Sequence, residues 1–166
     1  MTCADLTVTG DQLRAAVGTF PSGVTVVTTR SGAGDVGLTV SAFSSLSLEP
    51  AMVVLSVDNS STSLPHLTVG APVGVSVLAE GQGRLARQFG TRGIDRFAGV
   101  DVLRRGRGVA LIEGAAAWFA GEVVAAFPGG DHTILTVSVA ECGTTDDARP
   151  LLYQRGRVHD WVADDS

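Results

Sequence analysis

Short runs of β-branched residues, closed off by Gly and Pro, recur along the whole chain, and this pattern leaves few folds open. Val24-Thr25-Val26-Val27-Thr28-Thr29 is β-branched throughout and reads as a strand. Ser31-Gly32-Ala33-Gly34-Asp35 reads as a turn, giving a hairpin with a strand around Val36 to Val40. Met52 to Val57 and Val73 to Leu78 are further strands. Residues 109–126 and 132–142 read as long strands joined by Phe127-Pro128-Gly129-Gly130, and Leu151 to Tyr153 is a last strand before a polar tail. Helical signals are few. Thr9-Gly10-Asp11-Gln12 is a capping box, followed by Leu13, Ala16, Val17 and Phe20 at helical spacing until Pro21 stops the helix. Leu64 to Val69 and Gly83 to Phe89 are short helices, and 90–108 reads as an excursion loop.

Many strands with few short helices predict a mainly antiparallel β-barrel with helices at its ends. No long helices alternate with the strands, and no G-x-G-x-x-G joins a strand to a helix, which argues against a doubly wound nucleotide-binding sheet. The chain of 166 residues fits a tail over 1–8 and one domain over 9–162. Aromatics are only 5% against 45% hydrophobic residues, so the core is expected to be aliphatic.

Charge narrows the partners. The net charge of −5 argues against a nucleic-acid ligand, which needs a basic face. All 12 basic residues are Arg, so catalysis through a lysine, as in Schiff-base chemistry, is excluded. Two cysteines, Cys3 and Cys142, make neither a disulfide framework nor, with three scattered histidines, a four-ligand zinc site; no metal is expected. The absence of a signal-peptide pattern and of any apolar run near membrane-span length makes the cytoplasm the expected compartment.

Five segments could carry chemistry, among them Pro150-Leu151-Leu152-Tyr153 with Arg155-Gly156-Arg157, a final strand with an aromatic and two cations that reads either as a lid or ligand contact or as a core edge strand. In Leu38 to Ser47 small residues and hydroxyls crowd a strand end, where a flat ligand could lie against the backbone; an ordinary Ser/Thr-rich edge strand explains the same composition. Asp58-Asn59-Ser60-Ser61-Thr62-Ser63 puts a run of hydroxyls before a helix, a fair anion site, though capping alone accounts for one or two of them. Arg84, Arg87, Arg92 and Arg96 with Phe89 and Phe97 offer phosphate clamps and ring covers, against a solvated helix face and core aromatics as the plainer alternative. Gly130-Asp131-His132 lies at a turn between long strands, where a side chain can be aimed at a cleft; spacing alone does not separate a catalytic His from a structural one.

Taken in order, these segments resemble the flavin reductase family of two-component monooxygenase systems. The likeness runs from about Leu13 to Val158 and rests on Phe20-Pro21-Ser22-Gly23-Val24-Thr25, Gly37-Leu38-Thr39-Val40-Ser41-Ala42-Phe43-Ser44-Ser45, Asn59-Ser60-Ser61-Thr62, Arg96-Phe97, Gly130-Asp131-His132 and Pro150-Leu151-Leu152-Tyr153. It implies a split antiparallel β-barrel of the FMN-binding type, a homodimer, and hydride transfer from NADH, less often NADPH, to N5 of free FAD or FMN. The reduced flavin would then diffuse to a separate flavin-dependent monooxygenase. Pro21, Ser22, Gly23, Val24, Thr39, Val40, Ser41, Ala42, Ser44 and Ser45 would line the isoalloxazine and ribityl chain. Asn59, Ser60, Ser61, Thr62 and Arg87 would lie toward the phosphate, with Phe89 and Arg96 also near the cofactor. His132 would face the nicotinamide in a positioning role, with Tyr153 beside the same pocket. Two departures stand out: Ser41-Ala42 where many relatives have Asn-Ser, and Ala120-Gly121 where Glu-Cys is frequent, the latter expected to be a packing change. A split-barrel oxidase with tightly held flavin, or a non-catalytic flavin- or haem-binding module, are the competing readings.

Overall fold

The strand that begins at Thr25 is buried at five successive positions, Thr25 to Thr29, so both of its faces meet a core. A computed structural model describes residues 8–160; most of the expected tail, with Cys3, and residues 161 and 162 of the expected domain lie outside them. In chain order the elements are α1 (Gly10–Val17), β1 (Ser22–Gly23), β2 (Thr25–Ser31), β3 (Gly34–Val40), β4 (Phe43–Leu48), β5 (Ala51–Asp58), β6 (Pro72–Val77), α2 (Gly83–Gly90), β7 (Val102–Arg105), β8 (Val109–Ile112), β9 (Ala117–Gly129), β10 (His132–Thr144), β11 (Leu152–Gln154) and β12 (Arg157–His159).

Seven strands form one antiparallel sheet in the order β3-β2-β6-β9-β10-β5-β4, while β1-β11-β12 and β7-β8 form two small sheets. The architecture is mainly β, and a split barrel fits it. Side chains alternate across β2 as a strand requires. Val27 joins Leu38, Val53, Leu55, Val75, Val123, Leu135 and their neighbours inside the curved sheet. Val24 and Val26 face outward, where Leu78, Ala86, Phe89, Ile112 and Leu151 form a second core under α2 and β8. Both cores are aliphatic apart from Phe89, as the low aromatic content predicts.

Burying threonines on both faces is tolerable because each hydroxyl finds a carbonyl. Thr25 Oγ1 donates to Val40 O (2.7 Å), Thr29 Oγ1 to Pro72 O (2.7 Å) and Thr28 Oγ1 to Ala110 O. Among the described residues no buried side-chain nitrogen or oxygen lacks a partner.

Several boundaries differ from the sequence reading, each for a local reason. Residues 109–126 are two strands, because Gly114, at φ +73°, turns the chain between β8, which pairs with β7, and β9, which joins the large sheet. The supposed excursion loop contains β7, and the supposed polar tail contains β12. The helix expected over 64–69 is only a 3-10 turn, Leu64–His66. β9 continues through Pro128 to Gly129, and the hairpin turn is Gly130-Asp131, with positive φ at Gly130 as a Gly-x two-residue turn requires. Pro128 is tolerated because β6 pairs with β9 only as far as Glu122, leaving the outer side of that strand end unpaired. Beyond the hydroxyl-rich strand end the chain continues directly into an edge strand, β4.

Gly121 marks the tightest backbone approach. It pairs with Val139 beside a register irregularity, and a Cβ there would sit 1.9 Å from Ser138 O. The departure at Ala120-Gly121 is thus a backbone requirement more than a packing change. Gly121→Ala is expected to cost about 1–3 kcal/mol in urea unfolding. Gly32→Ala, at a position with nothing within 4 Å, serves as the near-neutral control.

Candidate active site

The capping box forms as read. Thr9 N donates to Gln12 Oε1 (2.9 Å) and Gln12 N to Thr9 Oγ1 (3.2 Å), which starts α1. The helix buries none of its residues; Leu13 and Val17 are more than half exposed, and Phe20 beyond its end is 75% exposed. Its apolar stripe therefore does not pack into either core. Instead the α1 arm walls one side of a cavity of about 980 Å³. This lies at the upper end of the roughly 300–1,000 Å³ usual for small-molecule sites.

Ser41, Ala42, Ser44 and Ser56, at the start of β4 and along β5, form another wall, and Tyr153 to Gly156 of the β11-β12 hairpin a third. Pairing of Ser22 with Tyr153 brings the first and last of these segments together. Gln154 Nε2 donates to Thr19 O (3.0 Å) and Arg155 N to Gly18 O (2.9 Å), fastening the hairpin to the arm. Thus Ser22, Ser41, Ala42, Ser44 and Tyr153, expected near one pocket, do share one. Pro21 lies exposed between two lining residues, Phe20 and Ser22. Gly23 and Ser45 are exposed on β1 and β4.

A polar cluster adjoins this cavity. Ser56 lines the cavity, and Asp58 follows two residues later on the same face of β5, about 7 Å along the strand. Asp58 Oδ1 accepts from both the amide and the hydroxyl of Ser60 (2.7 Å each), and Arg92 Nη2 donates to Ser60 Oγ (2.7 Å). The Ser60 hydrogen bonds, followed by the charges of His132 and Arg92, hold the Asp58 carboxyl below the usual carboxylate range. His132 is register partner of Asp58, and its Nδ1 lies 2.7 Å from Asp131 Oδ1. So His132 stands with the Asn59–Thr62 loop and not on the wall that carries Tyr153. Ser61 Oγ accepts from Ser63 N (3.3 Å), a local turn bond, while Thr62 is exposed.

Other expected contacts are placed differently. Phe89 is 0% exposed and packs edge-on against Phe97 at 5.0 Å beneath Gly37, so it is a core residue and cannot cover a ring. Val24 and Val40 are buried, leaving only their backbones to face a ligand. Thr39 spends its hydroxyl on Ala86 O (2.6 Å) in α2. Arg87 is exposed on α2, one turn before Thr91. Arg96 is a clamp: its Nη1 donates to Gly37 O (2.6 Å) and Ser63 Oγ (3.1 Å), and its Nε to Thr91 O (2.8 Å). Burial, then the charge of Arg92, lowers its pKa from the ordinary guanidinium value. Arg92, not Arg96, is the arginine that reaches the Ser60 hydroxyl. Arg155, one of the two cations that follow the last strand and read there as a lid or ligand contact, does line the cavity. The sequence reading did not single out Arg92 from its neighbours, nor the cavity residues Asp11, Arg14 and Gln154. Local spacing carries no signal for any of them; Phe20 alone had one, as a large apolar residue directly before Pro21.

Residues 17–162 match the family described as "Flavin reductase like domain". The chain is 37% identical over 153 residues to an NADH:FMN oxidoreductase of Rhodococcus erythropolis, covering 88% of this chain and 79% of that one. It is 38% identical over 147 residues to the reductase component of 4-hydroxyphenylacetate 3-monooxygenase of Thermus thermophilus, covering 88% and 93%. Among solved structures, a Streptomyces globisporus NADH:FAD oxidoreductase in complex with NAD and FAD fragments superposes with a TM-score of 0.88 at 34% identity, covering 94% of each chain.

Arg96→Met leaves Gly37 O and Ser63 Oγ without their cationic donor and is expected to lower stability by about 1–3 kcal/mol in urea unfolding. Arg92→Met, at an exposed position, is expected to change it by no more than about 0.5 kcal/mol.

Proposed function

The chain belongs to the flavin reductase like domain family, and on that premise we propose that it is an NAD(P)H:flavin oxidoreductase supplying reduced flavin to a separate monooxygenase. The observation that carries this reading is that the β5 face which puts Ser56 in the cavity wall leads on to Asp58, where Ser60, Arg92 and His132 gather. The residues fit a flavin mononucleotide moiety. Small side chains at Ser41 and Ala42 leave room for a flat ring, and the hydroxyls of Ser60 to Thr62 with the Arg92 guanidinium suit a phosphate. Either FMN or FAD meets those requirements, and NADH is the expected donor over NADPH.

The flavin supplies the hydride acceptor and the reduced nicotinamide the hydride. The protein's part is to hold two rings in order and to keep charges matched. His132 has its Nδ1 against Asp131, and no described residue bonds its Nε2, which can hydrogen-bond the nicotinamide carboxamide. Among the described residues no third group completes a nucleophilic triad around His132, and hydride transfer asks for none.

The working unit is a homodimer in this reading. Leu13, Val17 and Phe20 along the α1 arm and Leu46 and Leu48 on the edge strand β4 are half exposed or more, with Leu48 at 90%. Such apolar surface is what a second copy would cover. Among the described residues no helix is long and apolar enough to cross a membrane, and the reading places the protein in the cytoplasm, where NADH is regenerated.

Steady-state oxidation of NADH and NADPH with FMN, FAD and riboflavin tests the proposal: repeated turnover of NADH with a releasable flavin is expected. No oxidation with any flavin overturns it in favour of a binding module, and a stoichiometric flavin that never leaves favours an oxidase. His132→Ala is expected to raise KM for NADH about tenfold or more, the worth of a strong polar contact, while flavin affinity moves far less. Leu48→Asp is expected to shift the protein toward monomer in sedimentation.

A further inference from the structure

The tip of the β9-β10 hairpin carries His132, yet the hairpin does not hold that tip by itself. Gly130 and Asp131 form the two-residue turn, and their carbonyls lie beyond the last ladder pair, His132 with Gly129. Asn59, the first residue after β5, takes up both. Its backbone N–H donates to Asp131 O (3.0 Å) and its Nδ2 donates to Gly130 O (3.2 Å). Its Oδ1 accepts from Thr133 Oγ1 (2.8 Å), on the other side of His132. The side-chain amide is thus engaged at both ends, and every one of these bonds goes to a residue within two positions of His132. Asp131, so held, sets its carboxylate 2.7 Å from His132 Nδ1.

The geometry points to Asn59 as a positioning residue for His132, not a flavin contact. It pins the turn from the neighbouring strand, fixes where the imidazole stands, and through Asp131 fixes which ring nitrogen faces outward. An Asn suits this task where Asp or Ser does not: one donor and one acceptor on a planar group span the turn carbonyl and the threonine hydroxyl. The Asn-Ser-Ser-Thr segment accordingly divides its labour, Asn59 serving the His132 turn and Ser60 the Arg92 side.

The inference rests on the reading of His132 as the nicotinamide-facing group, and the test separates the two. Asn59→Ala is expected to raise KM for NADH about fivefold to tenfold, the worth of roughly one hydrogen bond, with flavin affinity within about twofold. In a His132→Ala background the same change is expected to leave KM for NADH within about twofold, because its route is already cut. Nitrogen-edited NMR of the imidazoles supplies a readout independent of turnover. The His132 signals are expected to move in Asn59→Ala while those of His66 and His159 stay. Thr133→Val, which removes one of the bonds, is expected to give a smaller shift of the same signals and covers the case in which Asn59→Ala folds poorly. Additive penalties in the double variant, a flavin affinity that falls as far as NADH binding, or unmoved His132 signals each overturn the inference. If His132→Ala leaves KM for NADH unchanged, the reading of His132 fails, and the NMR shift alone then decides whether Asn59 holds the turn.

Discussion

A strand buried on both faces organises this molecule. Val27 and Val26 point into different cores from adjacent positions on β2, so the inside of the curved sheet and the layer beneath α2 are fixed relative to each other by one backbone. That backbone in turn sets β3, its edge partner, and β3 anchors what lies around the polar end of the site. Thr39 on β3 bonds the Ala86 carbonyl of α2, and Gly37 O receives Arg96. Arg96 also holds Ser63 and the Thr91 carbonyl, so the loop after α2 and the loop after β5 are drawn onto the same strand. Arg92 reaches Ser60 because both loops are so held. A glycine at position 37 permits this, since a Cβ there would meet Phe89 Cε1 at 2.7 Å.

Much of the architecture was legible because its signals are local. The capping box, the β-branched run of β2, the hairpin at residue 34 and the long β10 are each written within about ten residues. The failures are equally physical. A single turn at Glu113-Gly114 inside an apolar stretch divides β8 from β9, and the difference lies in which partner each strand finds, information no window contains. The three residues of β12 are a strand only because β11 lies beside them. Pro128 looked like a stop, but a proline on an unpaired strand side interrupts nothing.

For the site, segment identity was legible and segment role was not. Residues 22, 41 to 44 and 153 were each marked, and their meeting depends on pairings between distant parts of the chain. Phe89 and Phe97 carried the same composition whether they covered a ligand or filled a core; full burial puts Phe89 in the core, and Phe97, partly buried, packs edge-on against it. Arg92 and Arg96 differ by one turn of loop, yet one is spent on structure and the other stays exposed beside Ser60. Asn59 read as part of a hydroxyl-rich cap, whereas its amide is committed to a turn more than seventy residues away, through the register of β5 against β10.

The wall that closes the cavity is also the least buried part of the fold, and this bears on how a flavin is held. Within the chain α1 contributes nothing to either core, and the segment after it is fastened to the β11-β12 hairpin by hydrogen bonds at Gly18 O and Thr19 O and by the pairing of β1 with β11. Segments with few buried contacts open at low free-energy cost. The opposite wall is rigid by contrast, because β5 pairs on both sides and buries Val53, Leu55 and Val57. Within a single chain a flat ligand thus meets one fixed surface carrying the polar cluster and one apolar arm, with Phe20 at its end, that is lightly held unless a second copy covers it. The first offers groups that can orient a ligand, and the second offers apolar surface near Phe20. That division suits a protein whose product must leave for another enzyme, since tight enclosure by two rigid walls would retain it.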